Sequence, residues 1–332
     1  MQNRLNIVWG FILCLGLIGS GCSKKSDQGS QSSPSKRQFL SLGTAPPGGA
    51  FFVVGSAIAE VVQANATESN WQITAEATKG TQENIHRLDK SEIDFALANA
   101  AITFFAVRGQ GKWEKQYPIQ SVMTLAPNIA LFITPARSGI KSMADLKGKR
   151  VVVGPAGAGF EHFVEPILKA HGLSYNDIRP LNDTQAGAVA LLADGSADAA
   201  FLGGAVPTAS ITQACASQDI HFIPFDDTAK DDLIANYPFF AKKAIPANTY
   251  KGQSDPFQGL NVGNMILVTS ASVSEDTVYQ FTKTLYEHAK DVVEKHPAGR
   301  AINPTNAIRD TGTAFHPGAI RYFKEIGIWK KD

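Results

Sequence analysis

The sequence predicts an α/β fold of two lobes joined by two chain crossings, with a ligand cleft between them. Three observations carry this. Short β-type runs alternate with amphipathic helical stretches, and the alternation starts over in mid-chain. A late apolar run after the second series returns the chain to the first lobe, so two segments cross between lobes and form a hinge. Four glycine-rich turns fall between strand ends and helix starts.

In the first series, 39–42 reads as a short strand and 51–64 as a helix with its apolar residues on one face. The run 71–77, WQITAEA, alternates as a half-buried strand does. A short helix over 82–88 follows, then strands over 95–98, 121–125 and 129–134. The second series has a short helix over 142–146, an apolar strand over 150–153, a helix over 160–171 and a short strand around Leu181. It continues with a helix over 185–193, a strand over 199–202, a helix over 207–216 opening on a proline, and a strand over 221–224. Residues 265–269 are the late strand, and helices are expected over 275–293 and 317–326. The expected division is 38–134 for lobe 1, 135–261 for lobe 2, and 262–332 for the return to lobe 1 with the hinge and C-terminal helices.

The chain has 332 residues, 44% hydrophobic and 18% charged, enough apolar material for sizeable cores. Lys and Arg total 31 against 30 Asp and Glu, and Arg4 is the only charged side chain before Cys22. The balance near neutrality gives no electrostatic footprint for nucleic acid, and no nucleic-acid partner is expected.

The first residues carry an expectation about location. Residues 7–18, IVWGFILCLGLI, form a continuous apolar run, shorter than the roughly 20 residues of a membrane span and suited to a signal-peptide core. Gly19, Ser20 and Gly21 then lead into Cys22, which resembles a lipobox, although Gly19 stands where Leu is common. Residues 1–21 are therefore expected to be a signal peptide. Cys22 is expected to carry lipid, with residues 22–37 as a flexible tether holding the domain at the membrane. Ordinary cleavage or an uncut anchor are the alternatives. With Cys14 in the apolar run and Cys22 lipidated, Cys215 is the one thiol left in the processed domain, which excludes an intramolecular disulfide there.

The four turns are TAPPGGAFF (44–52), TKGTQEN (78–84), GPAGAGFE (154–161) and GGAVP (203–207). In open α/β sheets ligands bind beyond the carboxyl ends of strands, where helix N-termini present unpaired N–H groups. Glycine lets a ligand approach the backbone. If both lobes contribute such turns, they line a crevice suited to an anion such as a carboxylate; plain turn chemistry is the alternative. Gly49, Gly80, Gly159 and Gly204 are expected to mark main-chain donors. Thr44, Thr78, Thr81, Asn84 and Asn99 are expected to give side-chain hydrogen bonds, and Phe51, Phe160 and Val206 to pack an apolar part. Ala50, Gly157, Ala158 and Pro207 complete the expected lining.

Other chemistry finds little support. His162 occupies the place of the third glycine in a dinucleotide fingerprint, and no Lys-Ser/Thr pair follows for a phosphate loop. Glu161, His162 and Glu165 lie within about a turn of helix but lack metal-ligand spacing, so no metal and no cofactor are expected. The pairs Asp226-Asp227 and Asp231-Asp232 read as a loop and helix start. Cys215 reads as a buried apolar side chain. No positioned nucleophile, base or metal set emerges, and the chain is not expected to be an enzyme.

The blocks SLGTAPPGGAFFVVGSAIA, TAEATKGTQENIHRLDKSEIDFALANA, SGIKSMADLKGKRVVVGPAGAGFE, LLADGSADAAFLGGAVPTASI, YPFF with AIPANTYKGQ, and HPGAIRYFKE follow one another in order. Over about 40–328 the chain thereby resembles the TAXI family of solute receptors of tripartite ATP-independent periplasmic (TRAP) transporters. The resemblance implies a type II-like periplasmic-binding fold and a location in the periplasm or at the cell surface. It also implies a small carboxylate as solute and a sodium-coupled membrane permease as partner. Three departures bear on the solute. Phe51 and Phe52 stand where the family has tyrosines, Asn99-Ala100-Ala101 where it has a polar run, and Gly157-Ala158-Gly159-Phe160 where it has Gly-Ser-Gly-Thr. Each removes a hydroxyl or acid and adds apolar surface, so the expected solute is a carboxylate with a larger apolar portion than glutamate. The alternative is that these side chains face away from the cleft or are replaced by water. A sensor that signals to a membrane partner is the alternative function.

Overall fold

The computed structural model describes residues 38–329. The expected signal peptide (1–21), lipidated Cys22 and tether (22–37) fall outside the described residues. Twelve strands are described: β1 (Gln38–Gly43), β2 (Trp71–Glu76), β3 (Phe95–Asn99), β4 (Ile119–Thr124), β5 (Ile129–Pro135), β6 (Arg150–Val152), β7 (Arg179–Leu181), β8 (Ala199–Gly204), β9 (Ile220–Ile223), β10 (Phe240–Ile245), β11 (Phe257–Val262) and β12 (Met265–Ser270). The α-helices are α1 (Ala50–Asn65), α2 (Thr81–Asp89), α3 (Ala100–Ala106), α4 (Glu161–Ala170), α5 (Gln185–Ala193), α6 (Ala209–Ser217), α7 (Asp227–Asn236), α8 (Glu275–Glu287), α9 (Ala289–Lys295), α10 (Pro304–Ala307) and α11 (Pro317–Glu325). None is long and apolar enough to cross a membrane.

The strands form two sheets, one per lobe. The first has the order β2-β1-β3-β12-β4, with β12 antiparallel to both neighbours. The second repeats that plan as β7-β6-β8-β5-β9, with β5 antiparallel to β8 and β9. The β10–β11 hairpin pairs with the start of β5 through Leu260 and Asn261. The hairpin apart, each sheet takes four strands from its own series and one antiparallel strand delivered by a crossing, and the hairpin makes the second sheet seven-stranded. This is a mixed α/β architecture of two sheets.

The outbound crossing lies earlier than the sequence suggests. β4 belongs to the first sheet and β5 to the second, so the chain changes lobe between Thr124 and Ile129, and 129–134 belongs to lobe 2. The apolar run of β5 is buried along its whole length, and such a strand reads the same in either sheet. The return crossing falls between Val262 and Met265. The two crossings bond to each other: Val262 N–H donates to the Asn128 carbonyl at 2.9 Å, and Met265 N–H to that of Ala126 at 2.8 Å. Side chains add to this, with Asn261 Oδ1 accepting from Asn128 N–H (3.1 Å) and Asn264 Nδ2 donating to the Leu125 carbonyl (3.0 Å).

Three apolar clusters hold the chain. One fills lobe 1 between its sheet and α1, α8 and α11 (Leu42, Ile58, Phe95, Phe281, Phe323), and one lies on the α5–α6 face of lobe 2 (Leu131, Leu192, Leu202, Ile211). The third runs through both lobes, joining Ile85, Ala98 and Ile102 to Phe163, Phe201 and Leu233. Two other differences from the sequence reading concern helices. The span 275–293 is two helices meeting at His288, and α6 starts at Ala209, leaving Pro207 ahead of the extended Thr208 that precedes the helix.

Candidate functional site between the lobes

A cleft between the two sheets is lined from lobe 1 by Ala45, Pro46, Pro47, Gly49, Phe51, Lys79, Gly80, Thr81 and Asn99. Lobe 2 supplies Pro155, Phe160, Phe163, Gln185, Phe201 and Gly203, and the outbound crossing supplies Asn128. The space within this lining, open solvent at its mouth included, is about 630 Å³.

Besides α3, which Asn99 caps, three helices start at this cleft. Their N-cap residues Gly49 (α1), Gly80 (α2) and Phe160 (α4) all belong to the lining, and none of the three helices has a side-chain cap. Away from the cleft the described helices are of both kinds: α8 is capped by Ser274 and α11 by His316, while α6, α7 and α9 have no side-chain cap. An α-helix leaves its first four N–H groups without partners inside the helix, and its N-terminus carries about half a positive charge. These starts put positive potential where a guest would sit, and part of their N–H capacity is already used: Gln82 donates to the Ala158 carbonyl, Phe52 to that of Gly49, His162 to that of Gly159 and Phe163 to that of Phe160. Lys79 adds the lining's only cation, and no carboxylate belongs to it.

The apolar wall comes mainly from lobe 2. Phe160 lies 5.0 Å from Phe163 and 6.0 Å from Phe201, centroid to centroid, and Phe163 lies 5.5 Å from Phe201. Phe51 stands across from them in lobe 1.

Several residues expected in the lining have other work. Thr44 is buried behind the cleft, its hydroxyl donating to the Glu76 carbonyl at 2.7 Å. Thr78 donates to the Thr44 carbonyl (3.1 Å) and accepts from Gly80 N–H (3.1 Å), which holds the second glycine turn in shape. Asn84 is fully buried and donates to the carbonyls of Thr44 (2.8 Å) and Leu97 (2.9 Å). These three cannot turn to a solute without breaking buried bonds. Thr81 and Asn99 do line the cleft, yet they are partly committed to each other: the Thr81 hydroxyl accepts from Asn99 N–H at 2.9 Å. The Asn99 amide is spent entirely, on the carbonyls of Val262 and Gly263 and on the N–H groups of Ala101 and Ile102.

Ala50, Gly157, Ala158, Gly159 and Gly204 sit at the seam where the lobes touch, outside the lining. Gln82 N–H donates across it to the Ala158 carbonyl at 3.3 Å. A Cβ on Gly204 would come within 3.2 Å of Ala50 Cβ, and one on Gly159 within 3.1 Å of Ile102 Cγ2. Val206 and Pro207 point away from the cleft and line a separate groove with Pro127, Lys243 and Arg300.

Sequence reasoning missed Ala45, Pro46, Pro47, Lys79, Asn128, Pro155, Phe163, Gln185, Phe201 and Gly203 as lining. Ala45 to Pro47, Lys79, Pro155 and Gly203 lie within the four turns and were legible as neighbours of the glycines. Phe163, Phe201 and Gln185 belong to helices and a strand, and only the closing of lobe on lobe brings them to the cleft. The Gln185 amide is fixed, donating to the Gly203 carbonyl (2.7 Å) and accepting from the Ser210 hydroxyl (2.8 Å).

The residues weighed for other chemistry are placed elsewhere. His162 is 7% exposed and lies at the seam, between the Trp113 ring (5.8 Å, planes 9° apart) and the Phe105 ring (5.5 Å, 22°). Burial lowers its pKa from the ordinary imidazole value. Exposed Asp227 pairs with the buried Lys230, Asp231 pairs with Lys242 on the surface, and Cys215 is buried with its thiol pKa pushed up by desolvation.

Comparison with known proteins identifies the family and the fold. The model of the NMT1-like family matches residues 42–327. The periplasmic aliphatic sulphonate binding protein SsuA from Escherichia coli superposes with a TM-score of 0.50 at 16% identity, covering 88% of this chain and 84% of that one. The alkanesulfonate-binding protein SsuA from Xanthomonas axonopodis pv. citri, bound to MOPS, gives 0.50 at 18% identity, covering 88% and 85%. A structure described as a periplasmic transporter gives 0.53 at 15% identity, covering 88% and 93%.

Proposed function

The chain belongs to the NMT1-like family and has the fold of periplasmic solute-binding proteins, and from that premise we propose that it is an extracytoplasmic receptor that holds a small organic acid between its lobes and delivers it to a TRAP-type membrane permease. It binds and releases its solute without turning it over. The observation that carries this reading is the set of three uncapped helix starts, from both lobes, at one cleft that contains a lysine and no carboxylate. Donors of this kind grip an anionic head. The aromatic wall takes an apolar body, as in pockets that orient a ligand with few polar groups.

The solute is accordingly a carboxylate, or an acid of the same shape, with a sizeable apolar portion. The two SsuA proteins are named for binding aliphatic sulphonates and alkanesulfonates, which join an apolar chain to an anion. The ordered sequence blocks shared with the TAXI branch support the permease as partner. The tether and a lipidated Cys22 would keep the receptor beside it, in the periplasm or at the cell surface.

Native mass spectrometry of freshly purified protein, followed by isothermal titration with aliphatic and aromatic carboxylates and sulfonates, tests this. One acid is expected to bind with micromolar or better affinity, and glutamate at least about tenfold more weakly. Binding of glutamate more tightly than of every apolar acid would defeat the apolar-solute part of the proposal.

A further inference from the structure

We infer that the solute's only charge is its anionic head, with no ammonium group, and that Asn128 is the side chain that reads this head. The inference rests on the receptor reading of the cleft and deepens it.

Asn128 lies in the outbound crossing and is 7% exposed. Its main chain is spent on the return segment, N–H to Asn261 Oδ1 at 3.1 Å and carbonyl from Val262 N–H at 2.9 Å. Its side-chain amide, in the lining of the cleft, has no hydrogen-bond partner among the described residues. The two other amides of the lining, Asn99 and Gln185, are bonded at both ends. Buried polar side chains are nearly always bonded, so an orphan amide facing a ligand cleft is completed by the ligand. With no internal bond to hold its orientation, the amide turns freely to present its N–H₂ to a carboxylate or sulfonate oxygen.

The rest of the lining argues against a second, cationic group. An ammonium enclosed with the solute needs a carboxylate to offset its desolvation. The nearest acids in sequence are Glu83 and Glu161, in the first turns of α2 and α4, and Asp183, which accepts from Thr184 N–H at 2.6 Å just before α5; none belongs to the lining. Glu83 instead accepts from the backbone N–H of Lys79 at 3.1 Å. Lys79 and the three helix N-termini add positive potential, which repels an ammonium.

Matched pairs that differ only in the amino group separate the possibilities: phenylalanine with 3-phenylpropionate, leucine with 4-methylpentanoate, glutamate with glutarate. Isothermal titration of the whole protein is expected to show the deaminated acid binding at least about tenfold tighter in each pair that binds. Asn128→Ala is expected to weaken the acid by about tenfold. Asn128→Asp, which puts an anion beside the head, is expected to weaken it by about a hundredfold and to narrow or reverse the preference over the amino acid. Thermal melting of the variants and of Asn128→Ser shows that each is folded. An amino acid that binds as tightly as its deaminated partner overturns the inference, as does an Asn128→Asp protein with unchanged affinity for the acid. If no member of any pair binds, the receptor reading of this cleft fails, and this inference with it.

Discussion

Three asparagines around the cleft show how the same side chain takes different roles according to where its hydrogen-bonding capacity is spent. Asn84 is fully buried and ties the end of β1 to β3 through the carbonyls of Thr44 and Leu97. Asn99 caps α3 and clamps the return crossing. Asn128 is the free one. Stability and affinity should therefore separate between them. Asn84→Leu strips two buried carbonyls of a donor each, and is expected to cost about 2–4 kcal/mol of unfolding free energy. Asn128→Ala removes no internal bond and is expected to cost less than about 1 kcal/mol. Urea unfolding of the two variants checks this, and equal losses would contradict the division of roles.

At the scale of the element, α4 does two things with opposite ends of its first turn. Its start at Phe160 gives the cleft an uncapped N-terminus, while His162 reaches across the seam to stack between Trp113 and Phe105 of lobe 1. The imidazole Nε2 is buried there without a partner, and Gly111 passes close to the ring edge. The charged groups around it are Glu161 and Glu165 on its own helix, which favour the protonated form, and Lys112 of lobe 1, which opposes it. Burial is the largest influence and lowers the pKa. The sign of the pH effect follows. Above the ordinary imidazole value of about 6.5 the ring is neutral whether the seam is open or closed, and closure is unaffected. As the pH falls below that value, the open seam takes up a proton first, and the closed form loses stability until the lowered value is passed. Solute affinity is expected to hold steady from about pH 7.5 to about pH 6.5 and to fall on further acidification toward about pH 5, by no more than about tenfold per pH unit. His162→Phe, which keeps the ring stack, is expected to flatten the profile. Titrations of both proteins across this range are the check, and parallel profiles would remove His162 from the account.

For the whole molecule, the seam sets the terms on which the solute closes the cleft. It buries Trp113 Nε1, His162 Nε2 and Gln82 Oε1 without hydrogen-bond partners. Each such group costs about 1–3 kcal/mol relative to its hydrated state. The apolar contacts of Phe104 and Phe105 with Phe239 across the seam work in the other direction. The closed form therefore depends on what the solute adds, and solute shifts the population only as far as it binds the closed form better. Saturating solute is expected to reduce the radius of gyration in solution scattering and to slow amide exchange at Gln82, whose N–H bonds to Ala158 across the seam at 3.3 Å. Unchanged exchange at Gln82 would mean that binding and closure are not coupled. The two crossings, laced by Asn128, Asn261 and Asn264, are the segments that must flex.

The sequence by itself determined the α/β class, the restart of the pattern after the first lobe, the late strand that returns to the first sheet, and the glycine turns at strand ends. All of these are written in local periodicity and in residues whose backbone demands are local, such as Gly80 with φ +119° and Gly159 with φ +88°. The β10–β11 hairpin escaped it, because FAKKAI keeps four consecutive exposed positions at the sheet edge and shows no alternation. So did α3 and α7, too short or too polar to carry a clear helical stripe. Only the tertiary structure decided to which sheet β5 belongs. It alone placed Phe163, Phe201 and Gln185 at the cleft, and it alone left the amide of Asn128 free where those of Asn84 and Asn99 are bonded. Side-chain roles of this kind depend on contacts between residues far apart in the chain, and a local pattern cannot say which donors meet which acceptors once two lobes close on each other.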